Sequence, residues 1–146
     1  MQNALASLHA TFAALWLGCV LTEALFERTL MANGREGQLT LANLHVRVDK
    51  FVELPAIFGV VVTGLLMVKQ SSRQGLAYEA MLVAGSVAIA ANLYCVWLVF
   101  KRRDAASSGN WQRFESLDHV QHRVGAVVLV AVLTALLAGY WSRSVA

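Results

Sequence analysis

The chain has 146 residues, of which 58% are hydrophobic and only 14% are charged. Soluble globular domains carry about 25% charged residues, so the composition argues against a water-soluble domain. One proline and ten glycines exclude collagen-like and proline-rich disordered chains. The length suits a single domain.

Four apolar stretches, 4–26, 51–68, 77–100 and 124–141, each approach the ~20 residues that cross about 30 Å of hydrocarbon. A backbone in lipid must satisfy its own hydrogen bonds, so each stretch is read as a helix. The first is retained as a helix rather than a signal peptide, because it lacks a basic start and contains Glu23. The sequence predicts one all-α domain, 1–146, an integral membrane four-helix bundle with helices at about 4–30, 40–69, 76–102 and 110–142.

Local signals refine the helix ends. Asn110 is placed to cap the fourth helix. Pro55 has no N–H, so it is expected to kink the second helix just beyond Glu53.

The basic residues predict an orientation. Three cations fall on the side of the two termini and of the loop between the second and third helices: Lys69, Arg73 and Arg143. Nine fall on the other side: Arg28, Arg35, Arg47, Lys50, Lys101, Arg102, Arg103, Arg113 and Arg123. Cytoplasmic loops are richer in Lys and Arg, so both termini are expected outside the cytoplasm, in a bacterial inner membrane. The net charge of +3 then reflects contact with lipid headgroups, and no nucleic-acid partner is expected.

Ionisable residues inside the apolar slab need an explanation, because each costs about 2.5–3.5 kcal/mol at a helix centre. Glu23 lies inside the first helix. His45, Asp49 and Glu53 are spaced four apart, which places them along one face of the second helix. We expect these four side chains in the cytoplasmic half of the bundle.

The fourth helix starts with a second stripe of the same kind. His119 and His122 lie three apart, and Glu115 and Asp118 precede them by four residues each. The acids are spaced to orient the two imidazoles, as acids beside metal-bound histidines do.

Imidazole and carboxylate together suit iron, manganese, zinc or copper, and bundles hold such metals between facing helices. The sequence therefore predicts a transition-metal site, most simply an iron site. Glu23 is expected to be a bridging or proton-accepting, catalytic carboxylate. The candidate metal ligands are Glu23, His45, Asp49, Glu53, His119 and His122.

Three alternatives stay open. Asp49 and Glu53 can pair with Arg47, Lys50 or Arg123 in an interfacial ion-pair network without any metal. A b-type haem can be held by two histidines, with Arg47 and Arg123 on its propionates. Buried acids and histidines also line proton and metal-ion transport paths.

His9 stands apart, near the outer end of the first helix. Leu8-His9, Trp16-x-Gly18, and a second helix with Pro55 and Thr63-Gly64 resemble the small membrane proteins of the CopD and HemJ type over about half the chain. The resemblance implies a helical bundle with copper, haem or porphyrin chemistry. It also implies that His9 is a haem ligand, whereas the lysine of that pattern on the third helix has no counterpart here.

Taken together, the sequence predicts a redox-active membrane metalloprotein. Whether it is an oxidoreductase enzyme stays open. The expected partners are the lipid bilayer and a quinone, a porphyrin or another membrane redox protein, and a homo-oligomer is left open.

Overall fold

A computed structural model describes residues 2–70 and 75–144. Within these ranges, only Gly75 and residues 108–110 lie outside helical backbone, so the described chain is all-helical. Two of the cations assigned to the outer side, Arg73 and the side chain of Arg143, fall outside the described residues.

The described chain contains five α-helices. A 3-10 turn, Met31–Asn33, joins the first two, and a π-helical turn, Asp49–Glu53, joins the second and third. The helices are α1 (Gln2–Leu30), α2 (Gly34–Val48), α3 (Leu54–Gln70), α4 (Leu76–Ser107) and α5 (Trp111–Ser144).

Three continuous helical runs are long and apolar enough to cross a membrane: Ala4–Gln70, Leu76–Ser107 and Trp111–Ser142. The prediction of four separate membrane helices therefore differs from the structure, which has three. The reason is the connection between the first and second predicted helices, where the backbone of residues 31–33 stays helical instead of forming an open loop.

The first run folds back on itself. Gly34 has a φ of +65°, in a region that suits glycine because it has no Cβ. Beyond it the chain returns, and α3 packs along α1. His9 in α1 hydrogen-bonds the hydroxyl of Thr63 in α3, with 2.8 Å between Nδ1 and Oγ1.

Two buried clusters hold the helices together. The smaller joins α2, α4 and α5 through Ala42, Ala105, Ala106 and Phe114. The larger takes residues from α1, α3, α4 and α5: Trp16, Ala56, Ile57, Ala88, Val128, Ala131 and Val132. Many other large apolar side chains are exposed, as expected for helices that are long and apolar enough to cross a membrane.

The smaller cluster also explains two shifted helix ends. α2 begins at Gly34, about six residues before the predicted start, and α4 continues to Ser107 instead of ending near 102. The extra turns bring Leu39 of α2 against the cluster, and Ala105 and Ala106 of α4 into it. The predicted cap is confirmed, since Asn110 Oδ1 accepts a hydrogen bond from the backbone N–H of Arg113 at 3.1 Å.

Candidate functional site

Three carboxylates meet inside the bundle. Glu23 comes from α1, and Asp49 and Glu53 come from the π-helical turn. One oxygen of each lies within 4.8 Å of the others. Asp49 and Glu53 are 1% and 3% exposed, and Glu23 is half-buried. We call this group the carboxylate triad.

The π-helical turn places two members of the triad. The N–H of Leu54 bonds the carbonyl of Asp49, five residues back, instead of the carbonyl four residues back. The next residue is Pro55, which has no N–H to donate. The expected disturbance at Pro55 therefore takes the form of a wider turn, a feature that is frequent at functional sites.

Among the described residues, no Lys, Arg or His nitrogen forms an ion pair with the triad. The cations proposed for an interfacial network, Arg47, Lys50 and Arg123, are all exposed and make no ion pair with Asp49 or Glu53. The alternative reading of these acids as members of that network is therefore not supported.

A second polar group surrounds Arg102, which is fully buried. Its Nη1 pairs with Glu27 Oε1 at 2.8 Å and also with Asp118 Oδ1. His122, half exposed, lies 3.3 Å from Glu27 Oε2 through its Nε2. Arg102 therefore neutralises acids of α1 and α5 from its position on α4.

The same arginine sets the orientation of His45. Arg102 Nη2 lies 2.8 Å from His45 Nδ1. A guanidinium only donates hydrogen bonds, so Nδ1 is the acceptor. In the neutral imidazole the proton then sits on Nε2, which is buried and has no hydrogen-bond partner among the described residues. This arrangement makes Nε2 of His45 a hydrogen-bond donor on the wall of a cavity.

Asn92 on α4 is oriented in the same way. Its Oδ1 accepts a hydrogen bond from Trp16 Nε1 at 3.2 Å. An indole N–H only donates, so the oxygen of the amide must face Trp16. The Nδ2 group of Asn92 therefore turns away, and it is buried without a partner among the described residues.

A cavity of about 220 Å³ connects these groups. Its polar lining includes the triad, Glu27, His45, Asn92, Gln121 and His122. Three lining acceptors have no hydrogen-bond partner among the described residues: Glu23 Oε1, Asp49 Oδ2 and Gln121 Oε1. The cavity therefore presents unpartnered donors and acceptors to whatever fills it.

The structure brings together only some of the predicted site residues. Glu23, Asp49 and Glu53 meet, with His45 and His122 on the same cavity. The other predicted residues, His119, Arg47 and Arg123, are exposed and do not line the cavity. His9 contacts Thr63 and does not line the cavity.

The sequence reasoning missed Arg102, which it placed with the headgroup cations, and it gave Glu27 no part in the metal site. A signal for Arg102 is present in α4. Six of its eight buried positions recur at helical spacing and include the arginine: Ala88, Asn92, Val96, Val99, Arg102 and Ala106.

No family model matches the chain, and no curated protein or solved structure is significantly similar to it. The resemblance to the CopD and HemJ type therefore stays a prediction.

Proposed function

We propose that the chain is an integral membrane four-helix bundle in which the first helical run crosses the bilayer twice. A straight helix of 67 residues would be about 100 Å long, roughly three times the hydrocarbon thickness. The packing of α3 along α1 and the bond between His9 and Thr63 support a hairpin. With the basic loops in the cytoplasm, both termini lie outside, in a bacterial inner membrane.

We infer that the carboxylate triad binds a divalent transition metal, and that the protein is a redox-active metalloprotein. The observation that carries this proposal is the meeting of three carboxylate oxygens within 4.8 Å of one another, with no ion-pair partner among the described residues. Like charges at such distances repel strongly away from water. A divalent cation bound between them adds an attraction to each carboxylate that offsets this repulsion.

The donor set favours certain metals. Three carboxylates offer only hard oxygen ligands, which suit manganese and ferrous iron better than cuprous copper. Glu23 reaches the triad from a different helix than Asp49 and Glu53, and its Oε1 has no partner in the described chain. It is therefore the carboxylate best placed to bridge or to accept a proton.

The test is elemental analysis of the purified protein, prepared without chelators. We expect ~1 equivalent of manganese or iron per wild-type chain and less than ~0.2 in Glu53→Gln, because removing one anionic ligand weakens the site. Glu115→Gln is the matched control, since Glu115 is an exposed acid of α5. Wild-type protein without any transition metal, also after incubation with manganese or ferrous iron, contradicts the proposal.

Cation transport is a second candidate. One observation favours it: the cavity that holds the buried triad also touches half-exposed His122, so a route leads from the triad towards the surface. Manganese uptake into proteoliposomes that is abolished in Glu23→Gln supports transport, and equal uptake by the variant contradicts it. A haem held by two histidines has less support, because His45 turns an N–H to the cavity and His119 is exposed.

A further inference from the structure

Exposed residues of α1 and α5 line one side of the cavity. Its apolar lining there includes Leu21 and Ala24 of α1, and Gly125 and Ala126 of α5. Leu21 is 47% exposed, and both alanines are also exposed. The closest helix packing is elsewhere, between α1 and α3 and between α4 and α5. We call these four residues the lateral mouth.

The lateral mouth lies at the level of the triad. Leu21 and Ala24 flank Glu23 in α1. Exposed apolar side chains at that depth of a membrane bundle face acyl chains. A ligand can therefore reach the triad from the lipid phase.

The polar floor of the cavity restricts the chemistry of that ligand. His45 Nε2–H and the Asn92 Nδ2 group are donors without a partner among the described residues. Both are known to be donors because Arg102 and Trp16, which can only donate, occupy the acceptor atom of each side chain. A long-chain ammonium has no acceptor for them. An anionic headgroup is repelled by the carboxylates of Glu23 and Asp49. A neutral oxygen group that both donates and accepts hydrogen bonds can pair with the two donors and with the carboxylate oxygens.

We propose that the cavity binds the head ring of a lipid-soluble quinol or quinone, which enters through the lateral mouth. A ring oxygen accepts from His45 Nε2–H or Asn92 Nδ2, and a quinol hydroxyl donates to a triad oxygen. The isoprenoid or alkyl tail stays in the lipid beyond Leu21 and Ala126. The proposal rests on the proposed metal in one respect, because a divalent metal offsets two of the three negative charges of the triad beside a neutral ligand.

Glycine substitutions test the lateral mouth. A Cβ at Gly125 meets nothing within 4 Å, and neither does a Cβ at Gly85, which does not line the cavity. Gly125→Leu therefore fills the mouth without a clash of its Cβ, and Gly85→Leu is the matched control. The probe is a benzoquinone with a ten-carbon chain, titrated against protein in lipid nanodiscs, with metal content measured on the same samples.

We expect saturable binding by wild type and Gly85→Leu, and binding weakened by at least about tenfold in Gly125→Leu. Gly125→Leu should keep its metal. A second variant, Asn92→Asp, keeps the oxygen that faces Trp16 but removes the donor, so it too should bind the quinone more weakly.

Three outcomes overturn the inference, and the first two are no saturable quinone binding by wild type and equal binding by wild type and Gly125→Leu. A long-chain ammonium that binds at the mouth in place of the quinone also overturns it. A further outcome is that wild type binds the quinone more tightly than Gly125→Leu and yet holds no metal. In that case the lateral site stands and the proposed metal function fails.

Discussion

Arg102 Nη2 lies 2.8 Å from His45 Nδ1, inside the bundle and out of reach of solvent. The pairing joins α4 to α2 and sets which nitrogen of the imidazole faces the cavity. It therefore turns a residue with the spacing of a metal ligand into a hydrogen-bond donor.

The tautomer of His45 can be measured directly. Nitrogen-15 NMR of histidine-labelled protein should show His45 as the neutral form with its proton on Nε2, because Nδ1 accepts from Arg102. His119, exposed on α5, is the internal comparison. A His45 signal with the proton on Nδ1, or one shifted by a directly bound metal, contradicts the assignment.

Arg102 should also be the most sensitive polar residue for stability. Arg102→Met leaves Glu27 and Asp118 without the cation that pairs with both. Removing one partner of a buried ion pair costs about 3–5 kcal/mol. We expect a large fall in the free energy of unfolding, measured by denaturant titration in detergent.

Two further variants control that experiment. Arg103→Met should change stability little, because Arg103 is exposed and its pair with Asp104 spans 3.7 Å. Adding Glu27→Gln and Asp118→Asn to Arg102→Met should restore part of the loss, because the stranded charges are gone. The interpretation is wrong if Arg102→Met and Arg103→Met are equally stable.

Gly59 should be the glycine on which the hairpin of α1 and α3 depends. A Cβ at Gly59 would lie 2.6 Å from the ring of Phe12. Gly59→Ala therefore forces the two helices or the ring apart, at a cost of about 1–3 kcal/mol. Gly18→Ala, where a Cβ meets nothing within 4 Å, should be neutral in the same thermal unfolding assay. Equal melting temperatures contradict the close approach.

Cysteine labelling tests the two crossings of the first helical run. With Cys19 and Cys95 replaced, Glu36→Cys and Ser108→Cys should react with a charged thiol reagent on the cytoplasmic side. Lys69→Cys should react on the opposite side. The three positions are exposed, so access depends on the membrane alone. Labelling of Glu36→Cys and Lys69→Cys from the same side contradicts the double crossing.

Much of the fold follows from the sequence, because lipid restricts a spanning chain to helices and their apolar stretches can be read directly. The spacing of His45, Asp49 and Glu53 also predicted a common buried face, and the structure confirms it. The number of continuous helical runs, three rather than four, depends on local hydrogen bonding that the sequence does not show. Residues 31–33 of the turn stay helical, which a turn-rich composition at Asn33 and Gly34 does not reveal.

The partners within the site were harder to predict. Helical spacing puts Arg102 on the buried face of α4, but its position near the membrane surface equally suits a headgroup cation. Only the packing of α1, α4 and α5 brings Glu27 and Asp118 to it. His119 has the same spacing to an acid as His122 but does not line the cavity, because the three-residue step between them leaves the two side chains about 60° apart around α5.

The central claim is that the carboxylate triad holds a metal, and X-ray absorption at the metal edge tests it most directly. Wild-type protein loaded with manganese should show a coordination shell of oxygen alone, because His45 donates and does not ligate. The variant with Glu23→Gln, Asp49→Asn and Glu53→Gln should show no bound manganese. Imidazole or sulfur in the first shell, or an unchanged spectrum in the triple variant, contradicts the claim.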